Sequence, residues 1–176
     1  VPFSLMIIYS QGRKWLAVML KSMPQEKFLE KYNKVYKDVN KIEGTGLFFV
    51  KDVSAIPPYV MQIIFKNNIL YNDNILISII TRDDPFGVIG FFKGELAPGL
   101  RIFEVHMGYM EIIDIVKILG KAGINPKVIF YGLREVVTNK PLWKLYFLIK
   151  QFTPSIVQFH RLPPYKLHGV VTLVEV

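Results

Sequence analysis

The segment Ile75-Leu76-Ile77-Ser78-Ile79-Ile80-Thr81 sets the fold class that the sequence predicts. β-Branched residues favour extended backbone, and this run shows no regular alternation of polar and apolar positions. Such a segment is typical of a strand that is buried on both faces in the middle of a sheet. The polar residues Asp83 and Asp84, followed by Pro85, are expected to end the strand.

Shorter apolar runs on both sides of this segment complete the predicted fold. Turn residues separate them, and the glycine-rich residues 86–99 are expected to form a loop or an irregular hairpin arm. The resulting order β-α-β-β-α-β-α-β predicts an α/β fold, with a mixed sheet of about five strands and flanking helices. Further strands are predicted at residues 47–50, 101–107, 127–131 and 167–174, and helices at residues 57–68, 112–119 and 142–152, with one more helical turn near Thr153.

An amphipathic helix is predicted ahead of the sheet. Ser22 and Gln25 have the spacing of a capping box, which indicates that the helix begins after Ser22. The preferred interpretation is that its apolar stripe docks on the domain that follows, and the alternatives are a helix at the membrane surface or pairing with a second copy. The stripe consists of Phe28, Leu29, Tyr32, Val35, Tyr36 and Val39, and the basic face of Lys21, Lys27, Lys31, Lys34, Lys37 and Lys41.

The first residues, from Val1 to Tyr9, are strongly apolar. A bilayer-spanning helix needs about 20 such residues, so this run alone cannot cross a membrane. Because Arg13, Lys14 and Trp15 follow it, the run is typical of the cytoplasmic exit of a transmembrane helix, with a buried N-terminal strand or helical turn as the alternative. The predicted organisation is the end of a transmembrane helix at residues 1–10, a basic linker and amphipathic helix at 11–43, and a cytoplasmic α/β domain at 44–176.

The composition excludes several kinds of protein. The chain has no cysteine, which rules out a disulfide framework, a cysteine-based metal site and a thiol nucleophile. Its 22 Lys and Arg against 14 Asp and Glu give a net charge of +8, which favours phosphate-bearing partners. The basic residues are spread along the chain, and no nucleic-acid recognition motif is present. We therefore expect no nucleic-acid partner, but either an anionic inner membrane surface or an ordinary solvated basic surface.

Several short motifs follow one another along the chain. They are Met23-Pro24-Gln25-Glu26-Lys27-Phe28-Leu29, Gly44-Thr45-Gly46-Leu47-Phe48-Phe49, Gly108-Tyr109-Met110, Tyr131-Gly132-Leu133-Arg134-Glu135, Leu142-Trp143, Leu162-Pro163-Pro164 and Gly169. In this order the motifs resemble the C-terminal region of the Kup/HAK/KT potassium uptake family. The sequence departs from the family where Asn67 and Tyr71 stand in place of two typical histidines. These departures put in doubt any ligand site built from those histidines.

The resemblance implies a regulatory or assembly domain on the cytoplasmic side of a cell-membrane potassium transporter. K+/H+ symport would be carried by the transmembrane domain, which becomes the first expected partner, and a homodimer is the second. The domain itself is expected not to be an enzyme and to hold no cofactor. Two alternatives stay open: a domain that senses a nucleotide and gates the transporter, and a free-standing α/β enzyme of unknown activity.

Candidate binding residues follow from the nucleotide alternative. Some bacterial relatives of these transporters are inhibited by cyclic di-AMP through cytoplasmic domains, and arginines suit the phosphates of such a ligand. The candidates are Arg82, Arg101, Arg134 and Arg161. No metal site is expected, since His106, His160 and His168 lack a metal-ligand spacing. Asp83 and Asp84 are interpreted as a turn and not as a catalytic pair, and no catalytic residue is assigned.

Overall fold

A six-stranded mixed sheet is the centre of the computed structural model, which describes residue 10, residues 22–137 and residues 164–175. The elements are β1 (Met23–Pro24), α1 (Gln25–Asp38), β2 (Ile42–Phe49), β3 (Ala55–Ile56), α2 (Pro58–Met61) with a π-helical turn (Gln62–Lys66), β4 (Tyr71–Arg82), β5 (Val88–Ala97), β6 (Leu100–Gly108), α3 (Ile115–Lys121), β7 (Val128–Val137), a 3₁₀ turn (Pro164–Lys166) and β8 (Leu167–Glu175).

The strand order in the sheet is β5-β6-β4-β2-β7-β8. All neighbouring strands run parallel except β5, which is antiparallel to β6. The α/β class is confirmed, with one strand more than the approximate count predicted.

Strand β4 is the inner strand that the isoleucine-rich segment predicts, but the predicted burial holds only as far as Ser78, because Ile80 is 39% exposed. Residues 74–78 of β4 are all buried, and the strand lies between the parallel neighbours β2 and β6. Leu76 joins the core on one face of the sheet, called face A, and Ile75 and Ile77 join the core on the other, called face B. Because successive side chains of a strand point to opposite faces, a strand with core on both sides has no room for polar alternation.

Helices cover both faces. On face A, Phe28 and Tyr32 of α1 and Tyr59 of α2 pack against the sheet, which confirms that the amphipathic helix docks on its own domain. On face B, Ile115 and Leu119 of α3 pack against Ile75, Ile77 and Phe103. Each Å² of apolar surface removed from water stabilises the folded state by ~25 cal/mol, so these two cores are the main source of stability.

Two predicted helix starts are wrong, both for local structural reasons. Helix α1 begins at Gln25 and not after Ser22, because residues 23–24 pair with residues 55–56 as the short β1–β3 ladder and Pro24 takes the N-cap position. Helix α3 begins at Ile115, three residues later than predicted, because the Asp114 side chain accepts a hydrogen bond of 3.2 Å from the Lys117 N–H. The helix predicted at 142–152 and the turn near Thr153 lie outside the described residues.

Residues 86–99 contain strand β5, which was predicted only as an irregular hairpin arm or a loop. The strand pairs with β6 over most of its length, with register irregularities between Phe92 and Gly94 and between Glu95 and Ala97. The connection from β5 to β6 turns at Gly99, whose φ of +66° is a conformation that favours glycine. Glycines hid this strand because they interrupt the apolar alternation on which strand prediction depends.

Asn74 is a fully buried polar side chain that ties three elements together. Its Nδ2 donates to the carbonyls of Tyr71 and Gly99 at 2.7 and 3.1 Å, and to the Tyr32 hydroxyl at 3.2 Å. Its Oδ1 accepts from the Tyr71 N–H at 3.1 Å. The Tyr32 hydroxyl in turn donates to the Gly99 carbonyl at 3.2 Å. Helix α1, strand β4 and the β5–β6 turn therefore meet at one satisfied polar cluster.

We expect the substitution Asn74→Ala to lower the free energy of unfolding by about 3 kcal/mol, because it leaves buried backbone groups without a partner. Urea denaturation followed by circular dichroism measures the change. Asn72→Ala is the control, because Asn72 is exposed on the same strand and should change the stability by less than about 0.5 kcal/mol. Equal losses in the two variants would contradict the role of the Asn74 cluster.

Candidate functional site

Arg101, near the start of β6, is held in a two-pronged ion pair with Asp73. Its Nε and Nη2 donate to the two Asp73 carboxylate oxygens at 2.8 and 2.6 Å. The hydrogen bond to Asp73 raises the pKa of the Arg101 guanidinium. Thr45 adds a hydrogen bond of 3.2 Å to the same carboxylate, and the guanidinium lies 4.4 Å from the centre of the Phe92 ring. Arg101 would therefore have to break its ion pair with Asp73 before it could bind a phosphate.

Arg82, the last residue of β4, is much less engaged. Its Nη1 lies 3.6 Å from an Asp84 carboxylate oxygen, and the side chain of Asp84 is 67% exposed. Such an exposed pair contributes little to stability. The Nε of Arg82 is buried and has no hydrogen-bond partner among the described residues. The Nε of Arg82 is therefore a buried hydrogen-bond donor to which no described residue offers an acceptor.

The four predicted arginines do not form one cluster. Ile75 pairs with Arg101 and Arg82 pairs with Gly108, so Arg82 and Arg101 stand seven positions apart along the strands. At about 3.3 Å per residue, their backbones lie roughly 23 Å apart, at opposite ends of the sheet. Arg134 lies in the carboxyl-terminal half of β7, at the same end as Arg82. Arg161 and His160 lie outside the described residues.

Among the described strands, the carboxyl end of the sheet has a gap in the middle. Strand β2 stops at Phe49, which pairs with Ile77, whereas β4 continues for five more residues to Arg82. On the other side of β2, strand β7 continues to Val137. The connection after β2 passes over face A and the connection before β7 passes over face B. Crevices at the carboxyl ends of strands whose connections lie on opposite faces are the usual ligand positions in α/β sheets.

Tyr59 closes the lower part of this gap. Its hydroxyl donates to the Phe49 carbonyl, and the Phe130 carbonyl lies 3.5 Å from the same hydroxyl. Burial raises the pKa of Tyr59, so the hydroxyl stays neutral and remains a donor. Above it, Ser78 is the first residue of β4 beyond the end of β2, and its buried Oγ has no hydrogen-bond partner in the part of the chain that the structure describes. Ser78 and Arg82 lie on face A of β4.

Glu104 is a buried carboxylate that the sequence did not single out. It is 5% exposed on β6, and it accepts a hydrogen bond of 2.7 Å from Lys93 of strand β5. His106 places its Nε2 3.2 Å from the other carboxylate oxygen. The hydrogen bond from Lys93, and then that from His106, lower the pKa of Glu104. The available signal is the alternation of Ile102, Glu104 and His106 with Phe103, Val105 and Met107, which indicates that one face is more polar. Alternation does not show that Glu104 is buried.

Other kinds of site find no support in the described residues. Nowhere in residues 22–137 and 164–175 do three or more His, Asp or Glu side chains group as metal ligands would. Asp84 stands in the turn after β4, paired with Arg82, and its exposure is that of an ordinary surface carboxylate. None of the helices in these two ranges is both long and apolar enough to cross a membrane.

We expect Glu104→Gln to lower the free energy of unfolding by about 1–2 kcal/mol near pH 7. Because the folded-state pKa of Glu104 is lowered, its stabilising effect is present above the pKa of the unfolded chain. The effect disappears as the pH falls through the folded-state pKa. The difference between variant and parent should therefore shrink near pH 3.

Urea denaturation at the two pH values measures this difference. Glu30→Gln, on the exposed side of α1, is the matched control and should show almost no difference at either pH. A loss for Glu104→Gln that stays constant with pH would contradict the ionised pair.

Comparison with known proteins assigns a family. The model of the K+ potassium transporter C-terminal domain matches residues 43–176. The probable potassium transport system protein Kup of Methanosarcina acetivorans is 50% identical over 99% of this chain, and its counterpart in Methanosarcina barkeri is 48% identical over 98%. The same protein of Geotalea uraniireducens is 46% identical over 99%. The chain spans only 28–29% of the length of these relatives. No solved structure matches it.

Proposed function

The chain belongs to the family of K+ potassium transporter C-terminal domains, and from this premise we propose that it is the regulatory and assembly domain of a potassium uptake transporter. The observation that carries the proposal is the high identity to Kup proteins of which this chain spans less than a third. In this proposal the remainder of the transporter carries K+/H+ symport through the membrane. The domain lies at the cytoplasmic face and makes no chemical change.

The attachment of helix α1 supports a role in coupling. Phe28 and Tyr32 fix the helix to face A, and the Gln25 N–H donates to the Ser54 carbonyl at 3.1 Å beside the β1–β3 ladder. A movement of the segment before residue 22 is therefore transmitted to the core and not absorbed by a free linker. The exposed residues Lys27, Lys31, Lys34 and Lys37 form a basic face on α1, which suits an anionic inner membrane surface as a further partner.

Potassium uptake tests this proposal directly. The complete gene that encodes this chain is expected to restore growth at low potassium in a bacterial strain without its own uptake systems. A version that lacks residues 22–176 is expected to reach the membrane but to take up Rb+ more slowly, because coupling and assembly are lost. Membrane content is measured by immunoblotting as the control.

Uptake no higher than that of the empty vector would contradict the transporter assignment. Uptake and assembly that are unchanged by the deletion would instead contradict the role of the domain.

A second candidate function, nucleotide sensing, is favoured by the unused polar atoms at the carboxyl end of β4. The Oγ of Ser78 and the Nε of Arg82 are both buried and without partners among the described residues. They border the gap above the end of β2, where α/β sheets usually hold ligands. A dinucleotide such as cyclic di-AMP, or an adenine nucleotide, would place phosphate oxygens within reach of Arg82. Arg134 belongs to the same end of the sheet and Arg101 to the opposite end, so Arg82 is the residue to test first.

Calorimetric titration with cyclic di-AMP, ATP and AMP tests the second candidate. We expect saturable heat with one of them, and we expect Arg82→Ala to weaken that affinity by about 10-fold or more, the effect of one charge-assisted hydrogen bond. Lys121→Ala, an exposed basic residue at the end of α3, is the matched control and should leave the affinity unchanged. Equal losses in both variants would reduce the effect to net charge, and no heat with any of the three would remove nucleotide sensing.

A further inference from the structure

Strand β5 forms one edge of the six-stranded sheet. The Gly108 N–H donates to the Gly87 carbonyl at 2.9 Å, which fixes the phase of the ladder between β5 and β6. Because hydrogen-bonded pairs alternate in an antiparallel ladder, the backbone groups of Val88, Gly90 and Phe92 point away from β6. Three N–H groups and three carbonyls therefore line this edge in the described structure, directed away from their own sheet.

The side chains of the same stretch are apolar on both faces. Ile89 and Phe91, on face A, are 55% and 40% exposed, while Val88 and Phe92, on face B, are 37% and 38% exposed. Natural edge strands are normally protected by charges, prolines or bulges. Here the charges Lys93 and Glu95 and both register irregularities begin only after Phe92. Residues 88–92 therefore form an unprotected edge, which is called the β5 edge below.

We propose that two copies of this chain associate by antiparallel pairing of their β5 edges, so that the two sheets become one continuous sheet. A strand is the occupant that the edge calls for, since only a second backbone provides a matching row of donors and acceptors. Antiparallel pairing of a strand with its own copy is isologous and generates a closed twofold dimer. The inference deepens the assembly role proposed above and names the surface that performs it.

The sequence of the edge is self-complementary in one register. If Gly90 faces Gly90 of the second copy, the outward backbone groups of Val88 meet those of Phe92 of the second copy, and six hydrogen bonds form. On face B, each Val88 then packs against a Phe92, and on face A each Ile89 packs against a Phe91. Pairs of aromatic and β-branched residues are among the favourable cross-strand pairs. The twofold axis passes between two glycines, where no side chains collide.

Gly90 is required by the domain itself as well. A Cβ at this position would lie 2.6 Å from Cγ2 of Ile118 and 2.8 Å from Cζ of Phe103. The packing of helix α3 on face B therefore requires glycine at position 90. The proposed register places this same glycine at the twofold axis.

More apolar surface lies beside the β5 edge. The loop after β6 is held against the turn that leads into β5, since the Tyr109 and Met110 N–H groups donate to the Asp84 and Pro85 carbonyls at 3.0 Å. Phe86, Tyr109, Met110 and Ile112 are each at least 60% exposed. This apolar surface extends the area that a second copy could bury beyond the strand itself.

The described elements next to the other segments of this chain lie away from the β5 edge. Residues 138–163 leave β7 and return to β8, at the opposite side of the sheet. Strand β7 is four strand spacings from β5, about 19 Å. Residues 1–21 lead into β1, which pairs with β3 and not with the six-stranded sheet. A second copy is the occupant that the observations favour.

Cysteine crosslinking tests the register, because the chain has no cysteine of its own. Ile89→Cys and Phe91→Cys chains with different affinity tags are mixed and oxidised. We expect disulfides between unlike chains, because residues 89 and 91 face each other in the proposed dimer. Val171→Cys is the matched control, since Val171 is 41% exposed and lies on the opposite edge strand β8. Crosslinking mainly through Val171→Cys, or equally between all chains, would overturn the proposed pairing.

The mass of the chain in solution provides an independent test. Light scattering is expected to give about twice the 20.4 kDa of one chain for the parent protein. Val88→Pro should give the monomer with an unchanged circular dichroism spectrum, because the N–H that it removes points outward and a proline at such a position leaves the ladder with β6 intact.

A monomeric parent, or a Val88→Pro variant that remains dimeric, would overturn the proposal. Both experiments measure association and not uptake. A transporter with a monomeric domain and a dimeric domain without transport are therefore distinguishable outcomes.

Discussion

Strand β4 carries hydrophobic core on both of its faces, and the other elements are arranged to supply those two cores. Leu76 needs the layer formed by α1 and α2, whereas Ile75 and Ile77 need α3. The connection after β2 therefore passes over face A and the connection before β7 over face B. Strands β2 and β6 are the parallel neighbours of β4. The Asn74 cluster completes the arrangement, because it satisfies the backbone at the point where α1, β4 and the β5–β6 turn converge. The fold is thus organised around one strand whose residues 74–78 are buried.

The sequence shows this central strand clearly and the edge strand poorly, for a physical reason. A run of isoleucines has one favourable environment, so its strand could be predicted without knowledge of its partners. Strand β5 contains Gly90 because Ile118 and Phe103 leave no room for a side chain there, and Gly94 sits at a register irregularity. Both glycines weaken the local strand signal, and for Gly90 the reason arises elsewhere in the chain. Pairing of β1 with β3 likewise displaced the predicted start of α1.

The candidate site shows the same division between local and distant information. Residue type alone does not distinguish the four arginines. The fold shows that Arg101 is paired with Asp73, 28 positions away in sequence. It also shows that the buried Nε of Arg82 has no hydrogen-bond partner among the described residues. Glu104, by contrast, could not be recognised from the sequence as part of a site. Its neighbours in sequence indicate a half-exposed polar position. Its partner Lys93 lies on β5, a strand that the sequence did not clearly predict.

The β1–β3 ladder has a mechanical consequence for any force that reaches the domain through the segment before residue 22. Only two residue pairs hold it, Met23 with Ile56 and Pro24 with Ala55, whereas α1 behind it is anchored by the fully buried side chains of Phe28 and Tyr32. Tension applied from the N-terminal side reaches the weak ladder first and the strong anchor second. A pull on the N-terminal segment is therefore opposed twice, first by a short backbone ladder and then by two aromatic rings buried in the core of face A. The second attachment carries the load to the sheet even when the first one opens.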